Sequence, residues 1–125
     1  MELPVAAASG PELASLLLRG AERATIIDSP AAFVGVKHFE PGEVFANHFH
    51  EGYDEFFATL EGSITIWQGR SVRTELAAGG SLLCRRGTHH YLINESVRPA
   101  KLLFTKIPLV ADDTVFVDWA PEANR

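Results

Sequence analysis

Between Gly42 and Gly62 the chain sets three good metal-binding side chains, His48, His50 and Glu55, within eight residues, with glycines bracketing the set. If His48 to His50 is extended, the two-residue period of a strand points both imidazoles to one side of a sheet, where one ion can touch both. A turn near Gly52 then lets Glu55 return its carboxylate to the same place. A fourth candidate lies downstream, in the stretch that runs from Gly79 through Gly87, His89 and His90 to Asn94.

The surrounding sequence has the grammar of a β protein. From Ala24 onward, short β-rich runs at 25–28, 33–39, 44–50, 55–60, 63–68, 72–76, 81–85, 90–94 and 101–107 are broken by glycine, proline and aspartate. Pro41-Gly42, Glu61-Gly62, Gln68-Gly69 and Gly79-Gly80 supply turns. Many short strands with regular turns argue for a sandwich or barrel, and 112–119 can add an edge strand. Ahead of this region, Ser9-Gly-Pro-Glu12 reads as a capping box, and Leu13, Leu16 and Leu17 recur at helical spacing before Arg19-Gly20. The reading is a helical extension over 1–23, a barrel over 24–119 and a frayed tail over 120–125.

Two motifs resemble those of the cupin superfamily. The pattern G-x5-H-x-H-x4-E-x6-G is met at Gly42, His48, His50, Glu55 and Gly62 without a gap, and G-x5-P-x-G-x2-H-x3-N at Gly79, Gly87, His90 and Asn94. Arg85 stands where the family usually has proline, a departure that touches the local turn and leaves the ligand position intact. The resemblance implies a small all-β, jelly-roll-like barrel in which His48, His50, Glu55 and His90 bind a divalent metal ion, and a chain that forms a homodimer. Nitrogen and oxygen ligands without a thiolate suit Fe(II), Mn(II), Ni(II), Co(II) or Zn(II).

Composition narrows the partners. At 125 residues the chain is one domain. With 11 basic against 16 acidic residues and no basic run, it lacks the concentrated positive patch that nucleic acid requires. No apolar run approaches the roughly 20 residues needed to cross a bilayer. Met1-Glu-Leu-Pro does not read as a secretory signal, and the single cysteine, Cys84, fits a reducing cytoplasm. The expectation is a soluble cytoplasmic protein that takes a small molecule.

Strand parity assigns faces. With His48 and His50 inward, Val44 and Ala46 join them while Phe45 and Phe49 look away; Ile64 and Ile66 face in and Trp67 out. Outward aromatics need cover, from the N-terminal helix or from another subunit. Lys37 prefers solvent, which turns His38 inward as a candidate catalytic group, a donor to a ligand or a proton carrier; the plainer account is a hydrogen-bonded core histidine. Tyr53 and Phe57 share parity with Glu55 and are pocket candidates, or aromatic core. Asn94 shares parity with His90, and either hydrogen-bonds around the site or stabilises a turn. His89 and Tyr91 alternate away from His90, with His89 exposed. Of Cys84 and Arg85 only one can face the cavity, and Cys84 reads as a buried inert thiol rather than a nucleophile. Arg85 and Arg86 can hold an anion or serve as solvated turn residues.

Two functions fit these residues. One is a metal-dependent enzyme of dioxygenase or isomerase/decarboxylase type. The other is a non-catalytic cupin that binds a small ligand or the metal itself, as a sensor or store.

Overall fold

The structure, a computed structural model, describes residues 23–121. The expected helix over 1–23 and the end of the frayed tail lie outside the described residues, save Arg23, which opens the first strand. Ten strands follow in order: β1 (Arg23–Asp28), β2 (Phe33–Phe39), β3 (Val44–Phe49), β4 (Asp54–Glu61), β5 (Ser63–Gln68), β6 (Val72–Ala77), β7 (Ser81–Cys84), β8 (His90–Ile93), β9 (Ala100–Ile107) and β10 (Val115–Phe116). They form two five-stranded sheets in the orders β1-β2-β9-β4-β7 and β10-β3-β8-β5-β6, and every pairing is antiparallel. From β2 to β5 the chain crosses between sheets at each step, so that each sheet interleaves segments distant in sequence. This is the double-sheet jelly roll.

Alternation explains what each strand buries. In β4 the side chains of Glu55, Phe57 and Thr59 are buried while Phe56 and Ala58 are half-buried between them, the period of a strand with one face on a core. Phe57 joins Phe39, Ile64, Ile66, Leu76, Cys84, Leu92, Ala100, Leu102 and Phe104 in one cluster between the sheets. Each large apolar side chain enclosed there contributes about 1.5–3 kcal/mol. Trp67, on the other face of β5 from Ile66, is buried as well.

In β3 the alternation breaks. Register shifts between Phe45 and His48, where β3 pairs with β8, so that an extra residue is accommodated. Phe45 therefore lines the cavity together with His48, while Val44 and Ala46 are exposed. The expected inward placement of Val44 and Ala46 and outward placement of Phe45 are thus reversed, because parity counted from the histidines does not survive a bulge.

Candidate metal centre

His48 and His90 are direct partners across β3 and β8, with ring centroids 4.1 Å apart. His50 lies just past the end of β3, and Glu55 is the second residue of β4, in the opposite sheet. The turn between them brings all four side chains together, each of them buried, with one potential ligand atom from each lying within 4.8 Å of the others.

The orientation of the rings is set from behind. Nδ1 of His48 donates to the carbonyl of Ala46 at 2.6 Å, Nδ1 of His50 to that of Asp113 at 2.7 Å, and Nδ1 of His90 to that of Thr88 at 3.1 Å. A carbonyl only accepts, so each Nδ1 carries its hydrogen and each Nε2 is left to face inward. Nε2 of His50 stands 3.0 Å from Glu55 Oε1 and 3.2 Å from the Tyr53 hydroxyl. Nε2 of His90 is 3.3 Å from the same carboxylate oxygen, yet it is buried with no hydrogen-bond partner.

That orphaned nitrogen is the test of fit for a metal, since a buried ring nitrogen without a partner is costly unless an ion takes it. Metal–donor bonds are about 2.1 Å long, so an ion would draw these four donor atoms closer together than they stand here. The residues present fit a divalent ion held by His48, His50, Glu55 and His90.

Electrostatics divide the four. Burial, reinforced by the neighbouring His90, lowers His48 to about 4. Burial works to raise Glu55, but the adjacent His50 and His90 imidazoles outweigh it and hold the carboxyl at about 2. For His90, burial opposes the charge, whereas the Cys84 thiol and the Glu55 carboxylate raise it to about 10. Cys84 Sγ lies 3.2 Å from His90 Nδ1, and its strand position directly opposes Glu55. Cys84 thus backs a ligand, and Arg85 points to solvent with 73% of its side chain exposed.

Three of the four, His48, His50 and Glu55, line a cavity that is partly continuous with solvent. Tyr53 and Phe57 line it, as their parity suggested, and burial pushes the Tyr53 phenol up so that it stays protonated.

His38 does not line the cavity. It faces the other way, with Nε2 2.9 Å from the exposed Glu40, and Lys37 takes the inward position. The expectation failed because lysine was assigned to solvent; burial of Lys37 is made tolerable by Glu43 at 2.6 Å and by the Phe39 ring 4.5 Å from its ammonium. Asn94, although fully buried, also stands apart from the cavity. Its amide nitrogen donates to the carbonyls of Phe39 and Arg98, and its oxygen accepts from the amide and hydroxyl of Ser96, so its capacity goes into the turn after β8 and into tying that turn to the end of β2. His89 is half-buried rather than exposed, stacked on Phe49 at 4.9 Å and next to Trp119 at 5.9 Å.

Residues that the motifs do not contain complete the site. Besides its carbonyl on His50, Asp113 accepts from the amides of Glu51 and Gly52 through its carboxylate, at 3.1 and 2.7 Å. Asn47 accepts from the Val117 amide through its main-chain carbonyl and donates to the Trp119 carbonyl through its side chain. The 113–119 segment therefore straps the ligand-bearing turn from outside. Nothing local marks Asp113 in the sequence, since its partners lie some 60 positions away.

Comparison with known proteins agrees with this fold. The profile described as Cupin domain matches residues 35–106, more than half of the 125-residue chain. Among solved structures, a protein from Bacillus halodurans is similar with a TM-score of 0.73 at 21% identity, over 90% of this chain and 92% of that one. A protein with a double-stranded β-helix domain from Klebsiella pneumoniae gives 0.69 at 22% identity, over 78% and 84%. TT1209 from Thermus thermophilus gives 0.66 at 29% identity, over 74% and 93%. A search of curated protein sequences finds no match. By profile, by fold and by the spacing of its two motifs, this chain belongs to the cupin family.

Proposed function

We propose that this protein is a metal-dependent enzyme acting on a small molecule bound between its two sheets, with His48, His50, Glu55 and His90 holding the ion. The observation that carries this reading is the fixing of three imidazoles at Nδ1 by main-chain carbonyls, which leaves three Nε2 atoms and one carboxylate close together beside a cavity that His48, His50 and Glu55 line. When bound, such an ion supplies either redox chemistry toward O2 or Lewis-acid polarisation of a carbonyl, according to its identity.

The chain's own residues do the rest. Phe45, Phe57, Leu92 and Phe104 give the cavity dry walls that limit water around a bound molecule. Tyr53, neutral and beside His50, offers a hydroxyl hydrogen to an oxygen of the substrate. A store for the ion alone needs no such room for an organic partner, and the adjoining cavity speaks against that reading.

Metal analysis of protein purified without chelator or affinity nickel tests the reading, with about one ion per chain expected. Anaerobic reconstitution with Fe(II), Mn(II), Ni(II), Co(II) or Zn(II), followed by O2 uptake over catechols, diketones and thiols, separates the two branches. Failure to take up any of these ions would remove the proposal.

A further inference from the structure

We infer that the cavity selects an organic anion with a flat apolar body, a small aromatic or unsaturated carboxylate, whose charge is met by Arg23 and Lys106. The inference rests on the proposed metal-dependent reading for the position of the ligand's far end; selection by charge comes from the chain's own cations.

Three cationic side chains line the cavity, Arg23, Lys37 and Lys106, against one acid, Glu55. Lys37 is neutralised by Glu43. Arg23 and Lys106 have no carboxylate within ion-pair distance among the described residues, and both lie on aromatic faces instead. The Arg23 guanidinium is 5.5 Å from the Phe104 ring centre and 5.9 Å from that of Phe45; the Lys106 ammonium is 5.5 Å from the rings of both Phe33 and Tyr53. A cation on a ring face keeps N–H donors free at its edge, and guanidinium can meet a carboxylate with two parallel bonds.

The register places these charges close to the centre. Lys106 is the direct partner of Glu55 across β9 and β4, yet the groups nearest Glu55 Oε1 are His50 Nε2 at 3.0 Å and His90 Nε2 at 3.3 Å, and no ion pair joins it to Lys106. Arg23 opposes Lys37, which opposes Leu102, along one row of the same sheet. An ion in the centre would offset Glu55 and leave the cavity with excess positive charge, carried by the half-buried Lys106 and the exposed Arg23 beside largely apolar walls, which draws a counter-charge. Phe57, Leu92 and Phe104 line the same cavity and can pack against a flat hydrocarbon body. A polyhydroxylated ligand would set its hydroxyls against phenyl rings with few partners, which disfavours it.

Calorimetric titration with 3-phenylpropanoate and with its uncharged isostere 3-phenylpropanamide tests the inference on the full chain, metal-free and loaded with Zn(II). The carboxylate is expected to bind at least about tenfold more tightly than the amide in both forms, as one charge-assisted contact provides. Combining Arg23→Met with Lys106→Met should bring the two affinities together while zinc content stays the same. Equal affinities in the unaltered protein overturn the inference, as does a carboxylate preference that survives in the zinc-loaded double variant, because the ion would then be the selector. A chain that loads zinc without discriminating sinks this inference alone; one that discriminates without taking up any metal supports the cationic anchor and sinks the metal reading.

Discussion

Asp113 holds the turn between His50 and Glu55 through two main-chain amides, and orients His50 through its own carbonyl. Asp113→Ala keeps the carbonyl and removes the two carboxylate contacts. The fold should persist by circular dichroism while metal affinity, measured against a competing chelator, falls by about 10- to 100-fold, the usual effect of losing a partner behind a ligand. The ligands also set a pH dependence for the metal-free protein. His48 is lowered from 6.5 to about 4, so the unfolded chain takes up this proton first, and stability drops as pH falls from 6.5 toward 4. Glu55, lowered to about 2, contributes above its ordinary 4.5 and loses that contribution as pH falls through about 2. His90, raised to about 10, contributes fully below 6.5 and loses it as pH climbs through about 10. A scan of melting temperature against pH on chelated protein should therefore peak near pH 6.5 and decline on both sides.

At the scale of elements, β2 and β5 match the runs read at 33–39 and 63–68, and the other run boundaries fall within two residues of the strands observed, because glycine and proline turns punctuate them plainly. Only the last strand is much shorter than the 112–119 stretch suggested, two residues at Val115–Phe116. The bulge in β3 was not visible, since alternation assumes an unbroken ladder and the extra residue is defined only against β8. Gly62, closing β4 onto β5, shows why a motif glycine is required. Its φ is 75°, and a Cβ there would stand 2.7 Å from the Pro99 carbonyl oxygen and 3.1 Å from the Ala100 Cα. Both obstacles are backbone and cannot swing aside. Gly62→Ala should lower unfolding free energy in urea by about 1–3 kcal/mol.

Across the whole molecule the centre joins the two sheets, with His48 and His90 from one and Glu55 from the other. An ion that binds only the folded chain adds about 4 kcal/mol at a thousandfold excess over its dissociation constant. Removing it with a chelator should therefore lower the melting temperature by several degrees, read by calorimetry. Phe116 at 62%, Leu83 at 48% and Val115 at 40% are exposed apolar side chains, and we propose that a second copy of the chain covers them. The expected outcome of sedimentation equilibrium at micromolar concentration is twice the 13.7 kDa of one chain; a single-chain mass refutes the dimer. Among the described residues no helix is long and apolar enough to cross a membrane.

Spacing within a strand and its turn is local information, so the strand runs and the grouping of His48, His50 and Glu55 could be read from residue order, while the jelly-roll barrel and the place of His90 in the set came from resemblance to the two cupin motifs. What order could not express is which side chains meet across sheets. Lys37 took the inward place assigned to His38 because Glu43 and Phe39 compensate its burial. Asn94 spent its hydrogen bonds on a turn, Phe45 moved inward with the bulge, and Asp113 reached the centre from the end of the chain. Each of these outcomes depends on partners far away in sequence, whose charge, shape and hydrogen-bonding capacity act only once the two sheets have closed on one another.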